Sequence, residues 1–264
     1  MSSEKSHSVL KISDLSIGYS SKKKDLIISE GINFSIPKGQ LVSIVGTNGI
    51  GKSTLLRTLA NMQPLISGSI LLNNTHLKEY TPIQLASHLS IVLTEAPSSK
   101  NLTVLELVSL GRHPYTNWVG ALSENDKKII KEAIIITEIE NLAHQKCAEL
   151  SDGQLQRAMI ARALAQDTPL ILLDEPTTHL DIYHRAYLLK LLKKLAVERF
   201  KTILFSTHEI DLAIQLSDKM IVMTKDKVHF NEPDALIKLG CFNNLFPSET
   251  IHFDSNLKRF VLKD

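Results

Sequence analysis

Gly46-Thr47-Asn48-Gly49-Ile50-Gly51-Lys52-Ser53-Thr54 is the stretch that decides the fold. It fits G-x-x-x-x-G-K-[ST] and has the setting that pattern requires. The apolar run Leu41-Val42-Ser43-Ile44-Val45 precedes it as a buried strand, and Leu55 to Ala60 follow as a helix running to about Asn61. Gly46, Gly49 and Gly51 let the backbone bend around phosphate oxygens with no side chain in the way. The loop amides, those of Thr47, Asn48 and Ile50 among them, then form an anion nest at a helix start whose dipole also favours negative charge. Lys52 can reach the outer phosphates, and the Ser53 hydroxyl is placed to bind a magnesium ion. A glycine-rich turn with a chance lysine is the plain alternative. With glycine at roughly 7 % of residues, it should arise in only about one chain in a hundred of this length. The loop implies nucleotide binding, and not yet a job.

Working outward, 264 residues suit one large α/β domain or two small ones. The 43 % apolar and 22 % charged residues match a soluble globular chain, and a formal charge of +2 is too small to argue for a nucleic-acid partner. Met1 to Ser6 lack the apolar core of a signal peptide, and no stretch approaches the roughly 18 to 20 apolar residues of a membrane span. Cys147 and Cys241 stand far apart in no metal-ligand spacing, which fits a reducing cytoplasm. If the chain works at a membrane, other chains must hold it there.

Val9 to Ser20 and Leu26 to Ile36 alternate apolar and polar residues as half-exposed strands do, with Lys22 to Asp25 as a hairpin connection. Tyr19, just past a strand, reads either as a packed tyrosine or as a flat ring on which a base can stack. Thr81-Pro82-Ile83-Gln84 is a capped helix start leading into the strand Ser90 to Leu93. From Glu95 to about Ala165 the texture becomes helical. Thr103 to Glu106 is a capping box, and Ser123 to Glu140 reads as a longer amphipathic helix. Between them, Gly111 to Gly120 carries the only tryptophan with a tyrosine and an arginine, which suits a contact surface or a packed loop. Strands return at Leu170 to Leu173 and Thr202 to Ser206, with a helix from Ile182 to Glu198 between them. Shorter strands follow at Met220 to Thr224 and Val228 to Phe230, after a helix begun at Asp211.

Leu170 to Asp174 is four apolar residues and a carboxylate, the Walker B pattern. A buried parallel strand ending in Asp puts that charge at the carboxyl edge of the sheet beside the phosphate loop, where Asp174 and Ser53 can hold magnesium together. Glu175 can then polarise a water for in-line attack on a terminal phosphate. Leu150-Ser151-Asp152-Gly153-Gln154, at the start of a helix from Leu155 to Ala165, resembles the Leu-Ser-Gly-Gly-Gln signature of the ATP-binding cassette ATPases, with Asp152 in place of the first glycine. The resemblance runs from about Val9 to Gly240. Tyr19 matches the aromatic that stacks on adenine, Thr177-Thr178-His179-Leu180-Asp181 the D-loop, and His208 the switch histidine at the terminal phosphate.

The resemblance implies an α/β fold of the P-loop NTPase type. It has a mixed, mostly parallel core sheet, an antiparallel β subdomain and an α-helical subdomain (about 95–165) inserted in the core. The cassette then spans 9–240, and 241–264 form a short C-terminal extension. It also implies an ATPase using ATP and Mg2+. Two copies would dimerise head to tail, each presenting Ser151, Asp152, Gly153 and Gln154, with Asp181 nearby, to the nucleotide on its twin. The family's Q-loop glutamine is missing: Thr94, followed by Glu95, stands in its place with a shorter reach to metal. Leu102 to Val108, Gly111-Arg112-His113-Pro114-Tyr115 and Thr168 to Asp181 look most like the ATPase subunits of importers for iron–siderophore complexes, haem and cobalamin. Such a subunit sits on the cytoplasmic face of the cell membrane under a permease that receives substrate from a binding protein. An export ATPase subunit and a soluble non-transport cassette remain the alternatives.

Overall fold

The computed structural model describes residues 8–21, 24–94, 101–178, 180–243, 245–246 and 249–263. In chain order the strands are β1 (Ser8–Tyr19), β2 (Leu26–Pro37), β3 (Leu41–Val45), β4 (Ser67–Leu72), β5 (Thr75–His76) and β6 (Leu89–Val92). They continue with β7 (Leu170–Leu173), β8 (Thr202–Ser206), β9 (Lys219–Met223), β10 (Val228–Asn231), β11 (Ile251–Asp254) and β12 (Arg259–Leu262). The α-helices are α1 (Lys52–Leu59), α2 (Pro82–Ala86), α3 (Val104–Ser109), α4 (Glu124–Ile136), α5 (Asp152–Ala165), α6 (Ile182–Arg199), α7 (Ile210–Leu216) and α8 (Pro233–Lys238).

Four apolar residues in a row make β7 a strand that must be covered on both faces, and parallel sheets provide that. Leu170 and Leu172 pack into one core, while Ile171 and Leu173 pack into another. The core sheet has the order β10-β9-β3-β8-β7-β6, with every neighbouring pair parallel except the β9–β10 hairpin. One side of this sheet is covered by the antiparallel sheet β2-β1-β4-β5, whose inward residues include Leu15, Ile17, Ile32 and Ile36. The other side packs against α6 and the helices inserted between β6 and β7. The expected fold class is therefore the observed one. A third cluster joins Val45, Ile210 and Met220 to Cys241, Phe242, Leu245 and Phe253, and the terminal β11–β12 hairpin packs beside α7.

Local signals place the helix starts. Thr81, Thr103, Ser123 and Ser151 each accept from the backbone N–H three residues on, and the side chain at that position returns a bond to the cap's own N–H. The far end of α4 differs from expectation: the helix stops at Ile136, before Glu140. Continued at about 100° per residue, it would carry Ile139 roughly 140° around from Ile134 and off the buried face. Glu138 instead turns left-handed at φ 55°, and Ile139 is fully buried.

The Gly111–Gly120 segment, which suited either a contact surface or a packed loop, divides between the two. Residues 110–115 form a short 3-10 turn. Arg112 is buried, not presented. Its Nε donates to Asp126 Oδ1 at 2.8 Å, its Nη1 donates to the Ala165 carbonyl at the end of α5 at 2.9 Å, and its guanidinium lies 4.0 Å from the Tyr115 ring centre. Gly111 permits this approach, since a Cβ there would sit 2.3 Å from the Arg162 carbonyl oxygen. Trp118, by contrast, is 96 % exposed. Among the described residues no helix is long and apolar enough to cross a membrane.

The Ser123 hydroxyl and the Arg112 guanidinium hold the Asp126 carboxyl below the usual carboxylate range. A depressed folded-state value stabilises the fold above the ordinary aspartate range, and that stabilisation is lost as pH falls through the depressed value. Asp126→Asn strands the buried guanidinium and should cost about 3 kcal/mol in urea unfolding at neutral pH. The variant should also show a flatter loss of stability on acidification than the parent.

Candidate nucleotide-binding site

The strand β3 ends at Val45, and the chain turns through residues 46–51 into α1. Gly51 caps that helix at φ 110°, a conformation that side-chain-bearing residues rarely adopt. Gly46 is needed for space: a Cβ on it would lie 2.7 Å from the carbonyl oxygen of Met223 on β9. The Lys52 side chain is 95 % covered, at 5 % exposure, and its ammonium donates to the Gly46 and Thr47 carbonyls at 3.0 and 3.2 Å. Burial lowers the Lys52 pKa, while the charges of Glu175 and Asp174 oppose that shift. Those two carboxylates therefore lie within electrostatic reach of the loop.

Asp174 directly follows β7, and its backbone N–H continues the sheet by donating to Val92. Its Oδ1 accepts from Ser53 Oγ at 3.0 Å. The Thr94 hydroxyl donates to the Asp174 carbonyl at 3.1 Å, so the residue standing at the Q-loop position touches the Asp174 main chain. Glu95 lies outside the described residues. Glu175 adopts φ 49°, its Oε1 accepts from His208 Nε2 at 2.5 Å, and its Oε2 accepts from Thr178 Oγ1 at 3.3 Å. Ser53, Thr94, Asp174, Glu175 and His208 thus converge on one edge of the core sheet from four separate stretches of chain.

The signature residues lie elsewhere. Ser151 caps α5 and shares its box with Gln154; Asp152, exposed, is the first helical residue. Ser151, Asp152, Gly153 and Gln154 line a cleft of about 360 Å³ with Arg157, Leu180, Asp181 and His184. No phosphate-loop residue lines it. Asp181 caps α6, and the His184 N–H and ring hold its carboxyl below the usual range. His179 of the same loop lies outside the described residues. Tyr19, at the end of β1, is 54 % exposed.

Ser206 is the residue that sequence reasoning passed over. Fully buried at the end of β8, it donates to Asp174 Oδ1 at 2.8 Å and accepts from the Glu175 N–H at 2.8 Å. The available signal was a hydroxyl closing an apolar strand just before Thr207 and His208.

A glycine-bent loop with a buried ammonium lies within electrostatic reach of an acidic pair at the carboxyl edge of a parallel sheet. An edge of that kind takes the phosphates of a nucleotide, and it defines the class as phosphate-loop NTPases. Comparison with known proteins narrows this class to one family. The ABC transporter family profile matches residues 29–178. An uncharacterised ABC transporter ATP-binding protein of Methanocaldococcus jannaschii is 38 % identical over 97 % of this chain and 87 % of its own length. The iron(3+)-hydroxamate import ATP-binding protein FhuC of Bacillus subtilis is 39 % identical over 83 % of this chain and 80 % of its own. A solved ATP-binding cassette, dimeric in a post-hydrolysis state with ADP and phosphate, superposes with a TM-score of 0.74 at 29 % identity, covering 85 % of this chain and 98 % of that one. The chain belongs to the ABC transporter family, as one of its ATP-binding, ATP-hydrolysing members.

Gly46→Ala should force the loop away from β9, at an overpacking cost of about 1–3 kcal/mol. A titration with a fluorescent ATP analogue should show weakened binding while the far-ultraviolet circular dichroism stays unchanged.

Proposed function

We propose that this chain is the ATP-hydrolysing subunit of an importer for iron(III)–siderophore complexes, the class named for its iron(3+)-hydroxamate relative. The observation that carries the ATPase part is the pairing of Asp174 and Glu175 opposite Lys52, with Glu175 braced by His208. Loop amides and Lys52 bind the phosphates, and Tyr19 offers the adenine an exposed ring at the end of β1.

A magnesium ion fits this donor set. Ser53 Oγ and Asp174 Oδ1, hard oxygen donors 3.0 Å apart at the sheet edge, would hold it, and Thr94 adjoins them through the Asp174 carbonyl. When bound, the ion neutralises charge on the outer phosphates. Glu175 accepts a proton from the attacking water as its oxygen bonds to the terminal phosphorus. The bond from that phosphorus to the bridging oxygen breaks, and ADP and phosphate leave. His208 holds Glu175 Oε1, leaving the carboxylate oriented for that proton.

The signature cleft takes part from a second copy. Ser151 and the amides opening α5, with Gly153 and Gln154, would close on the nucleotide of a head-to-tail partner, and Asp181 sits on the same surface. Asp152 adds a negative charge there, so its carboxylate must point away from the phosphate. Transmembrane permease subunits would hold the dimer at the cytoplasmic face of the cell membrane, contacting the surface around residues 94–120 where Trp118 is exposed. A separate binding protein would deliver the iron complex. Residues 9–240 form the cassette, the helical subdomain occupies about 95–165, and 241–264 are its C-terminal extension.

Glu175→Gln should retain ATP binding and lose at least about 100-fold in turnover, the usual contribution of a positioned general base. Light scattering with ATP should then register a dimer. A variant hydrolysing at the parental rate removes Glu175 from the mechanism. In cells lacking the gene, uptake of radiolabelled iron(III)–hydroxamate should return with the parent chain and not with Lys52→Ala. Uptake that is unaffected by the deletion rejects the importer assignment.

A further inference from the structure

The two carboxylates and the phosphate loop do not occupy neighbouring strands. In the core sheet β8 lies between β3, which leads into the loop, and β7, which leads into Asp174 and Glu175. At about 4.8 Å per strand, β3 and β7 stand nearly 10 Å apart. The register pairs Ile44 with Ser206 and Leu173 with Phe205, which brings the last residue of β8 level with Asp174.

We infer that Ser206 is a positioning residue for ATP hydrolysis, setting the relative orientation of Asp174 and Glu175 through a single hydroxyl. The hydroxyl is used in both directions. Its proton goes to Asp174 Oδ1 and its lone pair receives the Glu175 N–H, both at 2.8 Å, at a fully buried position. The second bond matters because Glu175 holds a left-handed backbone at φ 49°, which a residue with a side chain adopts only when its surroundings impose it. With its N–H anchored, the Glu175 side chain starts from a defined point towards His208 and Thr178. The first bond keeps Asp174 Oδ1 aimed at Ser53, the other hydroxyl that it accepts from. No other side-chain hydroxyl among the described residues bonds both Asp174 and Glu175. Thr94 touches only the Asp174 carbonyl and Thr178 only the Glu175 carboxylate.

This inference rests on the reading that Asp174 and Glu175 serve hydrolysis, so Glu175→Gln is measured alongside. Ser206→Ala removes both bonds and leaves a space the size of one oxygen. It should lower kcat on the order of 10-fold, the effect of losing a buried hydrogen bond to a charged group. Nucleotide affinity measured in EDTA should stay within about twofold of the parent, since the loop and Lys52 are untouched. Binding of Mn2+ to the ADP complex, followed by electron paramagnetic resonance, should weaken as Asp174 loses its orientation. Ser206→Thr restores the hydroxyl and should recover most of kcat. If its extra methyl prevents folding, the Mn2+ titration of Ser206→Ala decides alone. Parental kcat and Mn2+ affinity in Ser206→Ala, with Glu175→Gln inactive, overturn the role of Ser206 and leave the ATPase reading intact. So does a fall in kcat accompanied by an equal loss of EDTA-measured affinity, because the residue would then be structural. An active Glu175→Gln overturns the ATPase reading itself.

Discussion

One carboxylate oxygen holds the functional edge of this molecule together. Asp174 Oδ1 accepts from Ser53 at the start of α1 and from Ser206 at the end of β8, while the Asp174 backbone N–H extends the pairing of β7 with β6. Three strands and a helix are therefore referenced to a single buried acid, 4 % exposed. An ionised group so deeply placed is stable only when its lone pairs are satisfied. The hydroxyls that satisfy it also fix where the phosphate loop and Glu175 stand.

The same economy appears in the helical insertion. The Asp126 carboxylate closes the capping box of α4 through one oxygen and pairs with Arg112 through the other. Arg112 in turn satisfies the last turn of α5 at Ala165. Signature residues open α5 at its other end, so the helix that carries Ser151 is anchored to α4 and to the 110–115 turn at its base. Arg162 and Gln166 complete the attachment by donating to Ile91, Ala86 and Leu89 around β6.

Much of this was legible in the chain because the signals are local. A capping box spans four residues, the phosphate loop nine, and the Walker B run five, so each can be read without knowing what packs where. The role of Arg112 stayed open between a contact surface and a packed loop for the opposite reason. Next to Tyr115 and Trp118 it resembles a contact arginine, and only the placement of Asp126 and Ala165, distant in sequence, buries it. The end of α4 was likewise beyond local reading, since Ile139 gained more from the core than the helix gained from one further turn.

By itself the sequence determined the class of chemistry: a glycine-spaced loop with Lys52 and Ser53, and an acidic pair closing an apolar strand. These depend on residue type and spacing, which short-range sterics and hydrogen bonding enforce. Only the tertiary structure decided that β8 lies between the strands bearing those groups, and so that Ser206 touches both. Strand order in a parallel sheet is set by long crossover connections and the burial of two faces at once, and neither leaves a mark on the five residues of β8.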